Sequence, residues 1–271
     1  MAQKVVLLTG GSSGIGAEAA KLLAEAGYKV YAGSRRGTVT AECEGKVTPV
    51  VLDVNDQESV DTVVKDIIAK EGRIDALVCN AGNGIAGSVE NTTVDEAKYQ
   101  FETCFFGAHR VVKAVLPHMR GAKSGKIVTV SSVAANVPIP YQTFYSSAKA
   151  AVLIYTKALS LEVKPFGIQC CSILPGDTKT GFTAARKVTK ESEDPNSVYY
   201  ETLKKSVGRM EHDEQNGMAP ETAGRYIAGI ALKKRVKPEY AVGFVYKLLT
   251  VLAKLLPCGL RNRIIGMLYA R

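Results

Sequence analysis

The sequence predicts an α/β protein built on a doubly wound, mostly parallel β-sheet. Three observations lead to this prediction. Short, continuous apolar runs of strand length recur along the chain, segments of helical periodicity separate them, and a glycine-rich turn follows the first run. Strands buried on both faces are apolar throughout, and strands that alternate with helices form doubly wound sheets.

The predicted elements follow one another with short connections. The first strand covers residues 5–8, and the first helix covers 17–26 and ends at Gly27. The other predicted strands are 29–32, 47–52, 76–79, 126–130 and 168–174, and the other helices are 59–70, 94–119 and the helix from Tyr145 through Val163. The length of 271 residues would also permit two small domains, but no stretch has the composition of a linker. We therefore expect a single domain over 1–271.

The glycine-rich turn lies between the first strand and the first helix. It contains Gly10, Ser12, Ser13, Gly14, Ile15 and Gly16. Glycines let a backbone approach a pyrophosphate, and a helix N-terminus supplies N–H donors and the positive end of a dipole. The turn has one residue more between its first two glycine positions than the usual dinucleotide fingerprint. It predicts a dinucleotide site, and the alternative is a tight turn that needs glycine for positive φ.

The end of the second strand indicates which dinucleotide is bound. It reads Gly33-Ser34-Arg35-Arg36, with no carboxylate to repel a 2′-phosphate and two guanidinium groups to pair with it. NADP therefore fits better than NAD, unless both arginines are ordinary loop charges. Further predicted cofactor contacts follow the third and fourth strands, at Asp53, Val54, Asn80, Ala81 and Gly82.

Tyr145 and Lys149 are the candidate acid/base pair. Residues four apart on a helix are neighbours. A tyrosine starts from a pKa of about 10, and a nearby cation favours its phenolate and moves that pKa toward neutrality. The pair suits an enzyme that moves a proton together with a hydride. The same spacing also occurs on solvated helix faces, so the glycine turn is needed to support this interpretation.

Together these motifs resemble the short-chain dehydrogenases/reductases, over residues 3–235. The resemblance rests on Thr9-Gly10-x-x-x-Gly14-Ile15-Gly16, Asp53, Asn80-Ala81-Gly82, Ser132 thirteen residues before Tyr145, Lys149 four after it, and Pro175-Gly176 followed by Thr180. It implies a Rossmann fold, Tyr145 as the acid/base, Lys149 on the nicotinamide ribose, where it lowers the pKa of the tyrosine, and Ser132 against the substrate carbonyl oxygen. It also implies that Pro175, Gly176, Thr178 and Thr180 hold the nicotinamide.

Two positions leave alternatives open. Ser131 competes with Ser132, and only the thirteen-residue offset to Tyr145 selects Ser132, because neighbouring strand residues point in opposite directions. The family usually has an asparagine at the position of Cys104. In the family that asparagine helps to relay protons and to hold a helix kink. We hypothesise that Cys104 weakens the proton relay and that the asparagine's role in holding the kink is lost. The alternative is that Cys104 is a small apolar residue that fills buried space.

The substrate side is predicted from residues 183 onward. Residues 183–220 correspond to the mobile substrate-binding segment of the family, or to a plain surface connection. Residues 239–271, the C-terminal tail, have two apolar helical stripes, at Ala241, Val245, Leu248, Leu249, Leu252, Leu255 and Leu256 and at Leu260, Ile264, Ile265 and Leu268. Lys247, Lys254, Arg261, Arg263 and Arg271 accompany them. The tail packs on the core or a partner, roofs an apolar pocket, or lies on an anionic membrane.

Composition excludes several classes of function. The net charge of +9 is spread along the chain without a basic, aromatic-rich cluster, so we expect no nucleic-acid partner. The six cysteines have no metal-ligand spacing, so we expect reduced core thiols and no metal. No secretory signal is recognisable, and we expect a cytoplasmic protein.

The sequence thus predicts an NADP-dependent oxidoreductase that interconverts a ketone and a secondary alcohol, reducing a hydrophobic carbonyl with NADPH. Likeness to hydroxysteroid and retinoid-type members favours a steroid- or lipid-like substrate, and the family implies a homodimer or homotetramer formed through the fourth helix and the tyrosine helix. The alternative is an NADP(H)-binding sensor or scaffold with little turnover.

Overall fold

Seven parallel strands form the central sheet of the computed structural model, which describes residues 3–269. The strands in chain order are β1 (Val5–Thr9), β2 (Lys29–Ser34), β3 (Thr48–Val51), β4 (Ala76–Cys79), β5 (Ile85–Ala86), β6 (Gly125–Val130), β7 (Ile168–Leu174), β8 (Lys187–Val188) and β9 (Glu239–Ala241). The sheet order is β3-β2-β1-β4-β6-β7-β9, and β5 pairs with β8 separately. The order reverses between β1 and β4, where open α/β sheets bind ligands at the carboxyl ends of their strands.

Helices cover both faces of this sheet. They are α1 (Gly14–Glu25), α2 (Gln57–Glu71), α3 (Val94–Phe101), α4 (Gly107–Gly121), α5 (Thr143–Glu162), α6 (Phe182–Ala185), α7 (Tyr200–Gln215), α8 (Pro220–Leu232), α9 (Phe244–Leu255) and α10 (Cys258–Tyr269). None of those within residues 3–269 is long and apolar enough to cross a bilayer.

Strand β1 shows why the apolar runs are continuous. Val5 and Leu7 belong to the core under α2 and α4, whereas Val6 and Leu8 belong to the core under α1 and α8. Successive strand residues point to opposite faces, so a strand covered on both sides needs apolar residues at every position. The predicted fold class, a doubly wound parallel sheet in a single domain, is confirmed.

Some predicted elements differ in the structure. The strand predicted at 47–52 is the edge strand β3, whose residues alternate between partly buried and exposed. The helix predicted over 94–119 is interrupted by a π-helical turn at Glu102–Phe106. The polar segment 183–220 contains the sixteen-residue helix α7, which weak periodicity did not predict.

The tail begins as a strand and not as a helix. Residues 239–241 lie along the free edge of β7, with Ala241 opposite Leu174, so Ala241 is no part of the helical stripe. The expectation of core thiols is wrong for Cys258, which is exposed at the start of α10, while the other five cysteines are buried. Arg271, counted among the cations of the tail, lies outside the described residues.

Candidate active site

The glycine turn has the shape that a pyrophosphate requires. Gly10 has φ of +71°, and a Cβ on Gly16 would lie 2.1 Å from the carbonyl oxygen of Gly10. Asn80, at the end of β4, donates through Nδ2 to the carbonyl oxygens of Thr9 (3.2 Å) and Gly10 (3.0 Å). Neither glycine could carry a side chain without moving the turn. Asn80 therefore supports the turn by holding its backbone.

The N-terminus of α1 is open to an anion. Ser13 is its N-cap residue, but the hydroxyl makes no capping bond, and the first turn holds no acidic side chain. Ser12, Ser13, Gly14 and Ile15 line the central cavity, a space of about 1200 Å³ at the carboxyl ends of the strands. Free N–H groups and the positive dipole end favour a phosphate there. The predicted phosphate residues are thus brought together.

The end of β2 adds two free cations to the same cavity. Arg35 and Arg36 are exposed, both line the cavity, and neither forms an ion pair with any residue of 3–269. Asp53 and Val54 also line it, and Asp53 Oδ1 accepts from the backbone of Asn55 at 2.9 Å. The second Asp53 oxygen remains available to an adenine amino group. The residues predicted for the adenosine end therefore line one cavity, and their role in binding stays a prediction.

Tyr145 and Lys149 share one face of α5, as their spacing predicts. The Lys149 side chain is buried, its Nζ donates to the carbonyl oxygen of Val130 at 2.9 Å, and the same Nζ lies 5.7 Å from the Tyr145 ring centroid. Gly82 is close by, since a Cβ there would lie 3.5 Å from Lys149 Nζ. The ammonium group is thus fixed between β6, the end of β4 and the tyrosine.

Burial dominates the acidity of Tyr145. It raises the pKa of the phenol above its usual 10.0, while the Lys149 charge and the Ser132 side chain act in the opposite direction. The net shift is opposite to the predicted one because desolvation of the phenolate outweighs the neighbouring ammonium. Tyr145 is therefore held protonated at neutral pH.

The two serines at the end of β6 point to different surroundings. Ser131 is buried, and its Oγ donates to the carbonyl oxygen of Lys149 at 2.7 Å. Ser132 is only partly buried and accepts from the backbone N–H of Ala134 at 3.1 Å, which leaves its proton free for the cavity. Ser131 thus ties β6 to α5. The geometry favours Ser132 for substrate contact.

Cys104 lies at the centre of the π-helical turn and faces the catalytic lysine. A Cβ on Gly82 would lie 3.6 Å from its Sγ, almost as close as to Lys149 Nζ. Its Sγ also accepts from Gln100 Nε2 at 3.2 Å and lies 3.4 Å from Asn83 Oδ1. The helix distortion is present although the asparagine is absent, so losing the role of that side chain has not removed the distortion. π-Helical turns often mark functional sites.

The segment after β7, which the resemblance assigns to the nicotinamide, borders the same cavity. The carbonyl oxygen of Pro175 accepts from Val133 N at 3.0 Å, and Thr178 Oγ1 donates to the carbonyl oxygen of Gly176 at 2.9 Å. Thr180 lies beside the glycine turn, because a Cβ on Gly14 would approach it at 3.4 Å. The predicted residues from Pro175 to Thr180 therefore border both the phosphate cradle and the catalytic pair.

Comparison with known proteins identifies the family. The family model described as short chain dehydrogenase matches residues 4–191. The chain belongs to the short-chain dehydrogenase family. It is 40% identical over 271 residues to a 3-ketodihydrosphingosine reductase of Bacteroides thetaiotaomicron, covering 100% of this chain and 99% of the relative. It is 34% identical over 254 residues to the probable short-chain type dehydrogenase/reductase VdlC of Helicobacter pylori, covering 93% of each.

Solved structures agree with this assignment. A short-chain dehydrogenase from Streptomyces avermitilis is 29% identical, with a TM-score of 0.81 and coverage of 97% of this chain and 95% of that one. ElxO with bound NADP is 26% identical, with a TM-score of 0.73 and coverage of 91% and 99%. The protein is therefore an oxidoreductase of this family, and its dinucleotide cradle fits a nicotinamide cofactor.

The substrate half of this short-chain dehydrogenase is walled by its tail. Apolar residues of α9 and α10 and the connection between them line the cavity: Leu249, Leu252, Leu256, Ile264, Ile265 and Leu268. From the other side, the Phe182 ring packs 5.6 Å from the Tyr145 ring, centroid to centroid. Most of the residues that sequence reasoning placed on the two stripes thus face the cavity. This wall makes the site suitable for an apolar substrate.

Sequence reasoning missed several cavity residues. Gln142, Asp177, Phe182, Glu214, Tyr246 and Tyr269 all line the cavity. Gln142 lies one helical turn before Tyr145, and Asp177 directly follows Pro175-Gly176, so their positions beside known motifs could have indicated them. Tyr246 gave no such signal, although a Cβ on Gly176 would lie 2.1 Å from its ring, which explains the glycine.

Proposed function

We propose that this protein reduces a long-chain, lipid-like ketone to a secondary alcohol with NADPH. The observation that carries the proposal is one continuous cavity that holds both Tyr145 with Ser132 and the apolar side chains of α9 and α10. The full-length similarity to a 3-ketodihydrosphingosine reductase supports the same class of substrate. The predicted likeness to steroid- and retinoid-converting members remains a prediction.

The residues of the chain perform the proton chemistry. When NADPH is bound, it supplies a hydride to the carbonyl carbon. Negative charge then develops on the carbonyl oxygen, and the free proton of Ser132 and the phenol of Tyr145 are the donors available to it. Tyr145 gives its proton to that oxygen, for which its raised pKa keeps it in the required form. Lys149, fixed by Val130, stabilises the phenolate that remains.

NADP is the proposed cofactor because the cavity has free cations where the 2′-phosphate would lie. Arg35 and Arg36 follow β2 and line the cavity. The end of that strand, Gly33-Ser34, carries no carboxylate. ElxO, a related structure, is described with NADP bound. A carboxylate at this position would instead hold the ribose hydroxyls of NAD.

The outer surface of the tail supports contact with an anionic membrane. Phe244, Val245, Val251 and Leu255 are each more than half exposed on α9. Residues 244–269 carry four basic side chains and no acidic one. A second copy would bring like charges together across this surface, whereas anionic lipids would complement it. Of the three options for the tail, we infer that two hold together: its inner side covers the apolar part of the cavity, and its outer side contacts the membrane. The cytoplasmic location remains a prediction.

Self-association through α4 and α5 is also proposed. Ile154 and Leu161 on α5 are 62% and 74% exposed, and Phe106 beside α4 is 45% exposed. Apolar side chains in these positions fit the dimer or tetramer interface that the family implies. Light scattering of the wild type and of Ile154→Asp tests it: a monomeric wild type would contradict the interface.

A substrate panel with a catalytic control tests the function. NADPH oxidation is followed with 3-ketodihydrosphingosine, a long-chain ketone without a head group, and a steroid ketone. We expect turnover of the long-chain ketones and a loss of kcat of about 100-fold or more in Tyr145→Phe, because the proton donor is removed. NADPH binding without turnover of any ketone would favour the sensor alternative. Preference for the steroid would show that the substrate class is wrong.

A further inference from the structure

Asp177 is a carboxylate without a cation in the wall of the catalytic cavity. It lies just after β7, and its Oδ2 accepts from the Tyr246 hydroxyl at 2.9 Å. That hydroxyl also accepts from the backbone N–H of Asp177 at 3.0 Å. Within residues 3–269, no lysine or arginine nitrogen lies within 4.0 Å of this carboxylate. Its other oxygen has no hydrogen-bond partner among the side chains described.

Neighbouring carboxylates are paired, and this makes Asp177 unusual. Glu214 is bound by Arg186 and by Thr183 Oγ1, the latter at 2.6 Å. Asp213, on the same helix, is bound by Arg209 at 2.9 Å. Each of these two cations forms its ion pair with another carboxylate, and Asp177 has only the more distant attraction of Arg186. Burial raises the pKa of Asp177, as expected for a carboxylate that lacks a countercharge.

This charge lies at the reacting end of the cavity. Asp177 directly follows Pro175-Gly176, and the charge of Glu214 acts on both Asp177 and Tyr145. Phe182 connects the two sides, since its ring packs against the Tyr145 ring and lies 5.8 Å from the Arg186 guanidinium carbon. Asp177 also touches the tail, because Tyr246 of α9 donates to its carboxylate. A group bound to Asp177 would therefore lie where the Tyr145 side of the cavity meets the start of α9.

Gln142 supplies an independent observation at the same cavity. The residue is only 3% exposed, and its side chain makes no hydrogen bond with any residue of 3–269. Its Nε2 is buried without a partner, although the residue lines the cavity one helical turn before Tyr145. A buried donor left unpaired is destabilising, so a ligand oxygen is the natural partner.

We propose that Asp177 and Gln142 form a head-group subsite that selects ketones carrying an ammonium group and a hydroxyl close to the carbonyl. Asp177 binds the ammonium, and Gln142 donates to the hydroxyl. The alkyl chain then extends toward α9 and α10. This inference rests on the proposed function, because it names the polar part of the same lipid-like substrate. The part of the cavity formed by α9 and α10 is lined mainly by leucine and isoleucine, so these two polar groups decide which end of an amphiphile meets Tyr145.

The first test compares matched substrates. The probes are 3-ketodihydrosphingosine, which carries an amine beside its ketone and a hydroxyl on the next carbon, the same ketone without the amine, and the same amino ketone without the hydroxyl. In Asp177→Asn, the kcat/KM ratio for the amine over the amine-free ketone should fall about 10- to 100-fold, as expected for loss of a charged hydrogen bond. In Gln142→Leu, the kcat/KM ratio for the amino ketone with the hydroxyl over the one without it should fall about 10-fold. The kcat/KM ratio for the amine over the amine-free ketone should keep its wild-type value. Asp194→Asn, at an exposed carboxylate outside the cavity, is the matched control.

A binding measurement separates the subsite from the reaction. The wild-type protein with NADPH is titrated with a long-chain amino alcohol and with the same alcohol lacking the amine. The wild type should prefer the amine at least about 10-fold, and Asp177→Asn should lose that preference. Equal affinities in the wild type would overturn the subsite even if ketones were reduced. Amine preference without any turnover would keep the subsite and overturn the proposed reaction.

Discussion

The two arginines after β2 allow a quantitative prediction about the cofactor. The change is the double variant Arg35→Ala/Arg36→Ala. Each guanidinium group is exposed and free of ion pairs within the described residues, so each can form charge-assisted bonds to a 2′-phosphate. Such bonds are worth about 1.5–3 kcal/mol each, and exposure to solvent reduces this to about 1–1.5 kcal/mol. The pair then contributes about 2–3 kcal/mol, which corresponds to a roughly 30- to 140-fold weaker affinity for NADPH.

The assay is a fluorescence titration with NADPH and with NADH in parallel. NADH has no 2′-phosphate, so its affinity should change less than about threefold in the same variant. Lys65→Ala/Lys164→Ala is the matched control, since it removes two exposed cations outside the central cavity. Equal losses for the two dinucleotides, or an equal loss in the control, would refute the 2′-phosphate assignment. The NADPH affinity should also fall as salt is raised, and this salt dependence should be smaller in the double variant.

Three further predictions concern the catalytic site and the cradle. Ser132→Ala should lower kcat about 100-fold and keep the wild-type melting temperature. Ser131→Ala should mainly lower the free energy of unfolding, by about 1 kcal/mol. The reverse pattern would exchange the roles of the two serines. Gly16→Ala should lower the melting temperature by several degrees and weaken NADPH binding at least about 10-fold, because its Cβ would meet a backbone carbonyl oxygen. Gly229→Ala in α8, where a Cβ would have open space, is the control. It should leave NADPH binding unchanged and leave the melting temperature unchanged or slightly raised. The pH profile of ketone reduction should show no loss from Tyr145 until above about pH 10, since a raised pKa keeps the donor protonated; a fall centred near neutrality would contradict this reasoning.

The central sheet could be predicted from sequence because its strands are buried on both faces. In β1 every residue is apolar or fully buried, β4 repeats this signal, and β7 departs from it only at the partly buried Gln169. The signal is absent from β9, which has only three residues, all of them partly buried, at the edge of the sheet. Helix α7 was missed for a similar reason: it buries only Leu203, Ser206 and Met210 among polar neighbours.

The candidate site could be predicted only where its residues lie close in sequence or in ordered motifs. Tyr145 and Lys149 share a helix, and their contact follows from their spacing. The acidity of Tyr145 did not follow, because desolvation depends on residues that close over it from distant segments. The π-helical turn at Cys104 is a change of hydrogen-bond register, for which this sequence has no local marker. That Asp177 has no ion pair within the described residues depends on its neighbours, because Arg186 and Arg209 pair with Glu214 and Asp213 instead.

The position of α10 has a practical consequence for work on this protein. Leu268 and Tyr269 border the cavity, whereas β1 enters the sheet at the opposite end, away from the cavity. An affinity tag or fluorescent fusion attached at the C-terminus would be tethered next to Leu268 and Tyr269 in the cavity wall. The same addition ahead of β1 would extend from the far side of the molecule. Fusion proteins made for kinetics or vesicle experiments should therefore carry the added segment at the N-terminus.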